Sequence, residues 1–191
     1  MRLINVITRE LEDFPSHLPT YAILSHTWGA EEVTFSDIQS HHNTGKAGWK
    51  KILLSCKQAQ ADDCGYVWCD TCCIDKSSSA ELSESINSMF RWYQEAKVCY
   101  AFLEDIQEAD EIAKAQWFMR GWTLQELIAP KSLVFYVKYD NATWREIGTR
   151  KNLARKVQEI TEIDDSFLRG VGSMSDVRGA SFAKRVAWAA K

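Results

Sequence analysis

The sequence predicts an α/β fold: a single domain with a mostly parallel sheet flanked by helices on both faces, and extra helices towards the C-terminus. Two observations carry this. Short apolar runs at residues 21–24, 66–69, 98–103 and 132–137 alternate with stretches whose apolar residues recur at helical spacing, the pattern of crossover units feeding a parallel sheet. The chain has 191 residues and no Pro/Gly/Ser-rich linker, so it suits one well-buried core.

Residues 1–19 mix polar and apolar positions and end in Pro15 and Pro19, which reads as an extended arm or short strand leading into the body. Tyr21-Ala22-Ile23-Leu24 is a buried strand that opens into the polar Ser25-His26-Thr27-Trp28-Gly29. Trp49, Ile52, Leu53, Cys56 and Ala59 share a helical face, and Cys64-Gly65 supplies the stop. A second strand at 66–69 ends abruptly in Asp70-Thr71-Cys72-Cys73-Ile74-Asp75-Lys76. Ser78 and Glu81 fit a capping box, and Leu82, Ile86, Met89, Phe90 and Tyr93 mark one face of the helix that follows. The third strand, 98–103, leads through a charged loop at 104–111 to a helix with Leu124, Leu127 and Ile128 on its docking face, stopped by Pro130. After the strand at 132–137, Leu153, Val157 and Ile160 suggest a fourth helix, 166–168 a helical turn, and Phe182, Val186 and Ala189 a last helix.

The formal net charge is −3 and the pI about 5.8, with acids and bases interspersed. Without a basic stripe to neutralise phosphates, no nucleic-acid partner is expected. The N-terminal MRLINVITRELEDF is broken by Asn5, Arg9 and Glu10, so it is no signal peptide, and no apolar run approaches the ~20 residues of a membrane span. A soluble, cytoplasmic protein is expected, with its six cysteines reduced. Cys69-x-x-Cys72, with Cys73 and Cys64, has thiolate spacing for zinc, but no second pair follows and His17, His26, His41 and His42 lie outside any ligand register. Buried structural thiols and no bound metal are therefore expected. A cysteine nucleophile with His26 as base stays open, with nothing to choose among the six.

In open parallel sheets ligands bind beyond the C-terminal ends of the strands. Ser25, His26, Thr27, Trp28, Gly29, Asp70 and Asp75 would gather there. The stretch 117–130, WFMRGWTLQELIAP, adds Trp122 and Glu126 one turn apart and off the docking face. A carboxylate in the last turn opposes the helix dipole. An acid and an indole that packing does not require mark a candidate site, with Trp122 walling a pocket and Glu126 working inside it. The plain alternative is a surface glutamate beside a partly buried tryptophan. Neither a P-loop nor G-x-G-x-x-G occurs, so a nucleotide would be held by side chains and by stacking on Trp28 and Trp122.

Three blocks, YAILSHTWG at 21–29, VWCDTCCIDKSSSAELSESINSMFRWYQEAKVCYAFL at 67–103 and RGWTLQELIAP at 120–130, strongly resemble the HET domain. That family belongs to fungal heterokaryon incompatibility proteins, whose activation causes cell death after fusion of unlike strains. The resemblance implies one HET domain over residues 1–191, truncated at its C-terminus and forming the N-terminal part of a larger multidomain protein. HET domains in turn are distantly similar to TIR domains. The strand ending in Leu24-Ser25 resembles the first TIR strand and its serine-containing loop. Trp122-Thr123-Leu124-Gln125-Glu126-Leu127 resembles the TIR motif Trp-Cys-Leu-x-Glu-Leu, with Thr123 in the cysteine's place.

This second resemblance implies a flavodoxin-like or TIR-like strand order and a catalytic Glu126. It implies an NAD glycohydrolase active when clustered in an innate-immune-like death response, with NAD as substrate and no bound cofactor. Ser25 to Gly29 would then border the substrate, Asp70 and Asp75 would orient its polar groups, and Trp122 would form a wall. The alternative it implies is a non-catalytic signalling scaffold acting by self-association. The partners implied are further copies, regulatory or oligomerisation domains of the same polypeptide, and partner incompatibility proteins.

Overall fold

A computed structural model gives the fold, described for residues 1–40, 45–140 and 143–169. At its centre β3 (Tyr21–His26) lies between β4 (Tyr66–Cys69) and β5 (Val98–Leu103), and β6 (Leu133–Lys138) follows β5, all parallel. These are the four strands that the apolar runs predict. Every residue of β3 and β5 is buried, so both faces of the sheet's centre are covered, as unbroken apolar runs require.

The sheet has seven strands in the order β2-β1-β4-β3-β5-β6-β7, with β1 spanning Arg2–Asn5, β2 Leu11–Asp13 and β7 Trp144–Thr149. It is mixed rather than mostly parallel: β1 pairs antiparallel with β2 and β4, and β7 antiparallel with β6. Tight connections explain the β1–β2 and β6–β7 pairs, because short loops join antiparallel neighbours whereas parallel ones need a crossover. At the N-terminal edge the Asn5 side chain accepts hydrogen bonds from the backbone N–H of Ile7 and Thr8, and Arg9 takes a left-handed φ of 66° to close the hairpin. The expected extended arm is this hairpin's pair of strands. At the other edge Gly148, with φ of 141°, sits opposite Phe135 beside an irregularity in the ladder.

Helix α1 (Phe35–Gln39) is a single short turn, and α2 (Gly48–Ala61) buries Ile52, Cys56 and Ala59. Gly48 is required where it stands, since a Cβ there would lie 2.9 Å from the Glu31 carbonyl oxygen. The long helix α3 (Ser79–Glu95) is capped by Ser78, whose hydroxyl accepts from the Glu81 N–H. The reciprocal half of the expected capping box is absent, because the Glu81 carboxylate turns to the Asp75 N–H and to Arg2.

The expected charged loop at 104–111 runs into two 3-10 turns, Ala109–Lys114 and Gln116–Met119, which deliver the chain into α4 (Thr123–Ile128). Helices α5 (Ala154–Thr161) and α6 (Asp165–Leu168) are the fourth helix and helical turn of the sequence reading. The expected helix over Phe182, Val186 and Ala189 lies outside the described residues, as do His41 and His42. All six cysteines are buried and free of disulfides. No helix among the described residues is long and apolar enough to cross a membrane.

Candidate functional site

A cavity of about 480 Å³ opens where β3 and β4 end, and α3 and α4 form its other walls. Its volume suits a small-molecule ligand. Ile74, Leu82, Ile86 and Met89 make it largely apolar, and Thr27, Trp28, Asp70, Lys76, Arg120, Gly121, Trp122 and Glu126 supply the remaining lining. Trp28 and Trp122 are each about half exposed at its edge.

Glu126 is 2 % exposed, and every polar neighbour it has is specific. The Ser25 hydroxyl donates to its Oε2 at 2.7 Å, and Arg120 donates to Oε2 at 2.8 Å and to Oε1 at 3.1 Å. Ser25 is itself fixed by the indole N–H of Trp117, which donates to its oxygen at 2.6 Å. Burial raises the Glu126 pKa above its ordinary value, and the nearby Arg120 charge and Ser25 hydroxyl only partly offset this. The result is a carboxylate that water barely reaches, held by one cation that is itself partly exposed.

A second polar group abuts the first. The Trp28 indole N–H donates to Asp70 at 3.1 Å, and Lys76 Nζ sits 3.5 Å from the centre of the Trp28 ring, a cation–π contact that fixes this wall. Behind Asp70, His26 Nε2 is 3.6 Å from the Asp70 carboxylate and 3.6 Å from Cys69 Sγ. Burial alone would lower the imidazole pKa, but the Cys69 sulfur and Asp70 carboxylate raise it to about 10. A hydrogen bond from Cys72, opposed by burial and assisted by His26, pulls the Cys69 thiol well below its ordinary value.

Residues 21–113 match the family model described as heterokaryon incompatibility protein (HET). The chain is also 43% identical over 194 residues to vegetative incompatibility protein HET-E-1 of Podospora anserina, an alignment that covers 94% of this chain. This chain belongs to the HET family. It spans 14% of the length of HET-E-1. No solved structure matches it.

In this HET chain Thr27, Trp28, Asp70, Trp122 and Glu126 line one cavity, Ser25 reaches it through Glu126, and His26 stands behind Asp70. Gly29 and Asp75 do not line it. The Gly29 N–H donates to the Glu32 carboxylate, and the Asp75 carboxylate caps its own turn by accepting from the N–H and hydroxyl of Ser77. Glu126 differs from its expected setting. Helix α4 has six residues, so Glu126 lies in its first turn and no long dipole opposes it, and Glu126 is more buried than Leu124 or Ile128. A helix this short has no separate solvent face, and Arg120 makes burial of the acid tolerable.

The roles of Arg120, Lys76 and Trp117 were not anticipated, and of the six cysteines left open as partners of His26 the structure places Cys69 beside it. Arg120 and Trp117 stand six and nine residues before Glu126 in the same conspicuous stretch, a proximity that a search for the acid's counter-ion would have used. The His26–Cys69 pairing spans 43 residues and depends on β3 and β4 being neighbours.

Proposed function

We propose that this chain is an effector domain in heterokaryon incompatibility and that it cleaves the nicotinamide–ribose bond of NAD with Glu126 as the catalytic carboxylate. The observation that supports this most is the buried Glu126, facing an apolar cavity walled by Trp28 and Trp122. The parallel centre, in the order β4-β3-β5-β6, and the Trp122 to Leu127 motif support the likeness to TIR domains. The match to HET-E-1 supports the biological setting.

The chemistry suits a single acid. The anomeric carbon–nitrogen bond breaks with its electron pair passing to the pyridinium nitrogen, so nicotinamide leaves neutral and needs no proton. Glu126 stabilises the positive charge that develops on the ribose, more strongly in a dry site than in water. Water then bonds to the anomeric carbon and gives its proton to Glu126, leaving ADP-ribose. Trp28 and Trp122 are placed to stack flat rings, and Arg120 and Lys76 to meet the pyrophosphate.

Concentrated domain incubated with NAD should release free nicotinamide, and Glu126→Gln should lower the rate by about 100-fold or more. Trp122→Ala, at a half-exposed position, should fold and also lose rate. Wild-type nicotinamide release by folded Glu126→Gln rules out Glu126 as the catalytic group.

One observation favours a second reading. Arg120 and Ser25 satisfy both oxygens of Glu126, as a structural ion pair would, and the chain would then act as a non-catalytic scaffold by self-association. On that reading folded Glu126→Gln still kills cells, and NAD is not consumed by either protein.

A further inference from the structure

His26 turns one nitrogen towards two anionic partners. The Nε2–Asp70 separation of 3.6 Å exceeds the range of about 2.7–3.2 Å for an N–H···O hydrogen bond, and one Nε2 proton cannot serve both Asp70 and Cys69. Nevertheless the three atoms converge: Nε2, Cys69 Sγ and an Asp70 oxygen all lie within 4.8 Å of one another. A tetrahedral ion with bonds of about 2.0–2.3 Å holds its ligand atoms about 3.3–3.6 Å apart. The 3.6 Å from Nε2 to Cys69 Sγ suits an N–H···S contact, whereas the 3.6 Å to Asp70 is long for a direct hydrogen bond; both match the separation of ligand atoms that share one ion.

We propose that His26, Cys69 and Asp70 form a zinc-type metal site, with the fourth position taken by water from the cavity. The donor set is one thiolate, one imidazole and one carboxylate, which together match zinc's preferences and neutralise its charge. The other ring nitrogen is free to carry the proton that a metal on Nε2 would leave there, although no carboxylate among the described residues lies within hydrogen-bond distance of it. Nδ1 is buried without a hydrogen-bond partner, and the carboxylate nearest it is Glu32, 3.8 Å away and held by Lys51 and the Gly29 N–H. Metal-binding histidines commonly present their second N–H to a carboxylate, which fixes the tautomer and the ring. Access exists as well, because Asp70 lines the cavity while His26 and Cys69 are buried behind it.

This site departs from the zinc spacing the sequence suggests. Cys72 stands next to Cys69 as a hydrogen-bonding thiol, with its Sγ also 3.9 Å from the Cys69 carbonyl oxygen, and Cys73 Sγ accepts from the Cys69 N–H. The second ligand comes instead from β3, which the fold lays beside β4. An ion here would fix Asp70, and through it the indole of Trp28. The inference does not rest on NAD cleavage, and its test uses no enzymatic readout.

The reduced protein should be dialysed against chelator, then titrated with Zn²⁺ and, separately, with Co²⁺. The expected result is about one ion per chain, a thiolate-to-cobalt charge-transfer band and a rise in melting temperature with zinc. Cys69→Ser should abolish the band and Cys64→Ser should keep it. Glu32→Gln should weaken zinc binding by about 10–100-fold. Should Cys69→Ser fail to fold, Asp70→Asn at the cavity wall carries the comparison and should weaken zinc binding clearly. Failure of the wild-type protein to take up zinc overturns the proposal, as does a charge-transfer band that persists in folded Cys69→Ser. Neither result bears on Glu126.

Discussion

Glu126 Oε2 receives both the Ser25 hydroxyl and one arm of Arg120, so replacing this side chain disturbs a network rather than a solvated acid. Glu126→Gln keeps the Ser25 bond, since the amide oxygen still accepts, but leaves Arg120 without its charge partner. Because Arg120 is partly exposed, water takes up part of that loss, and because burial already disfavours the Glu126 anion, urea unfolding should show a change of no more than about 1 kcal/mol. The pH dependence has a definite sign. The folded pKa of Glu126 is raised above 4.5, so protonation favours the fold: this contribution is fully present below about 4.5 and is lost as pH rises from there through the folded pKa. A reaction needing the anion therefore weakens as pH falls through a point above 4.5, which the acid limb of kcat/KM for nicotinamide release would report.

Among the elements, α3 has its start written in local chemistry. Ser78 accepts from the Glu81 N–H at its first turn, and Ser78→Ala should cost about 1 kcal/mol, read as a lower urea midpoint with unchanged slope. Gly48→Ala should be destabilising despite the better helix propensity of alanine, because the new Cβ would meet the Glu31 carbonyl oxygen at 2.9 Å. The four central strands and the two long helices were legible because burial on both faces makes strands continuously apolar and long helices show several periods. The edge strands β1, β2 and β7 were not, since half-exposed edges carry polar residues such as Arg2, Glu12 and Arg145. Helix α4 was legible from Leu124, Leu127 and Ile128, and Trp122 does wall the cavity, but one turn and a half of helix could not show that Glu126, read as lying off the packed face, is 2 % exposed.

At the scale of the whole molecule, the site is assembled from three distant stretches around Ser25, Asp70 and Glu126, which only the strand order brings together. Its mouth is left open, with Trp28, Trp122 and Ile86 all substantially exposed, whereas charge stabilisation on a developing cation demands that water be excluded. On the proposed NAD cleavage, a second copy covering that apolar rim would dry the cavity and would make the rate depend on concentration. HET-E-1 is about seven times longer than the stretch this chain spans, which is 14% of it, so in such a protein other segments could gather the copies. Tethering raises local concentration to the order of mM, which fills a contact of Kd about 100 µM that dilute domain at about 1 µM leaves empty. The isolated chain should therefore sediment as a monomer at low concentration and release little nicotinamide. Its rate per molecule should rise with concentration, and fusion to an unrelated oligomer should restore it in dilute solution. Equal rates per molecule from dilute monomer and from the fused oligomer would show that the open cavity is already complete, and that control lies elsewhere than in clustering.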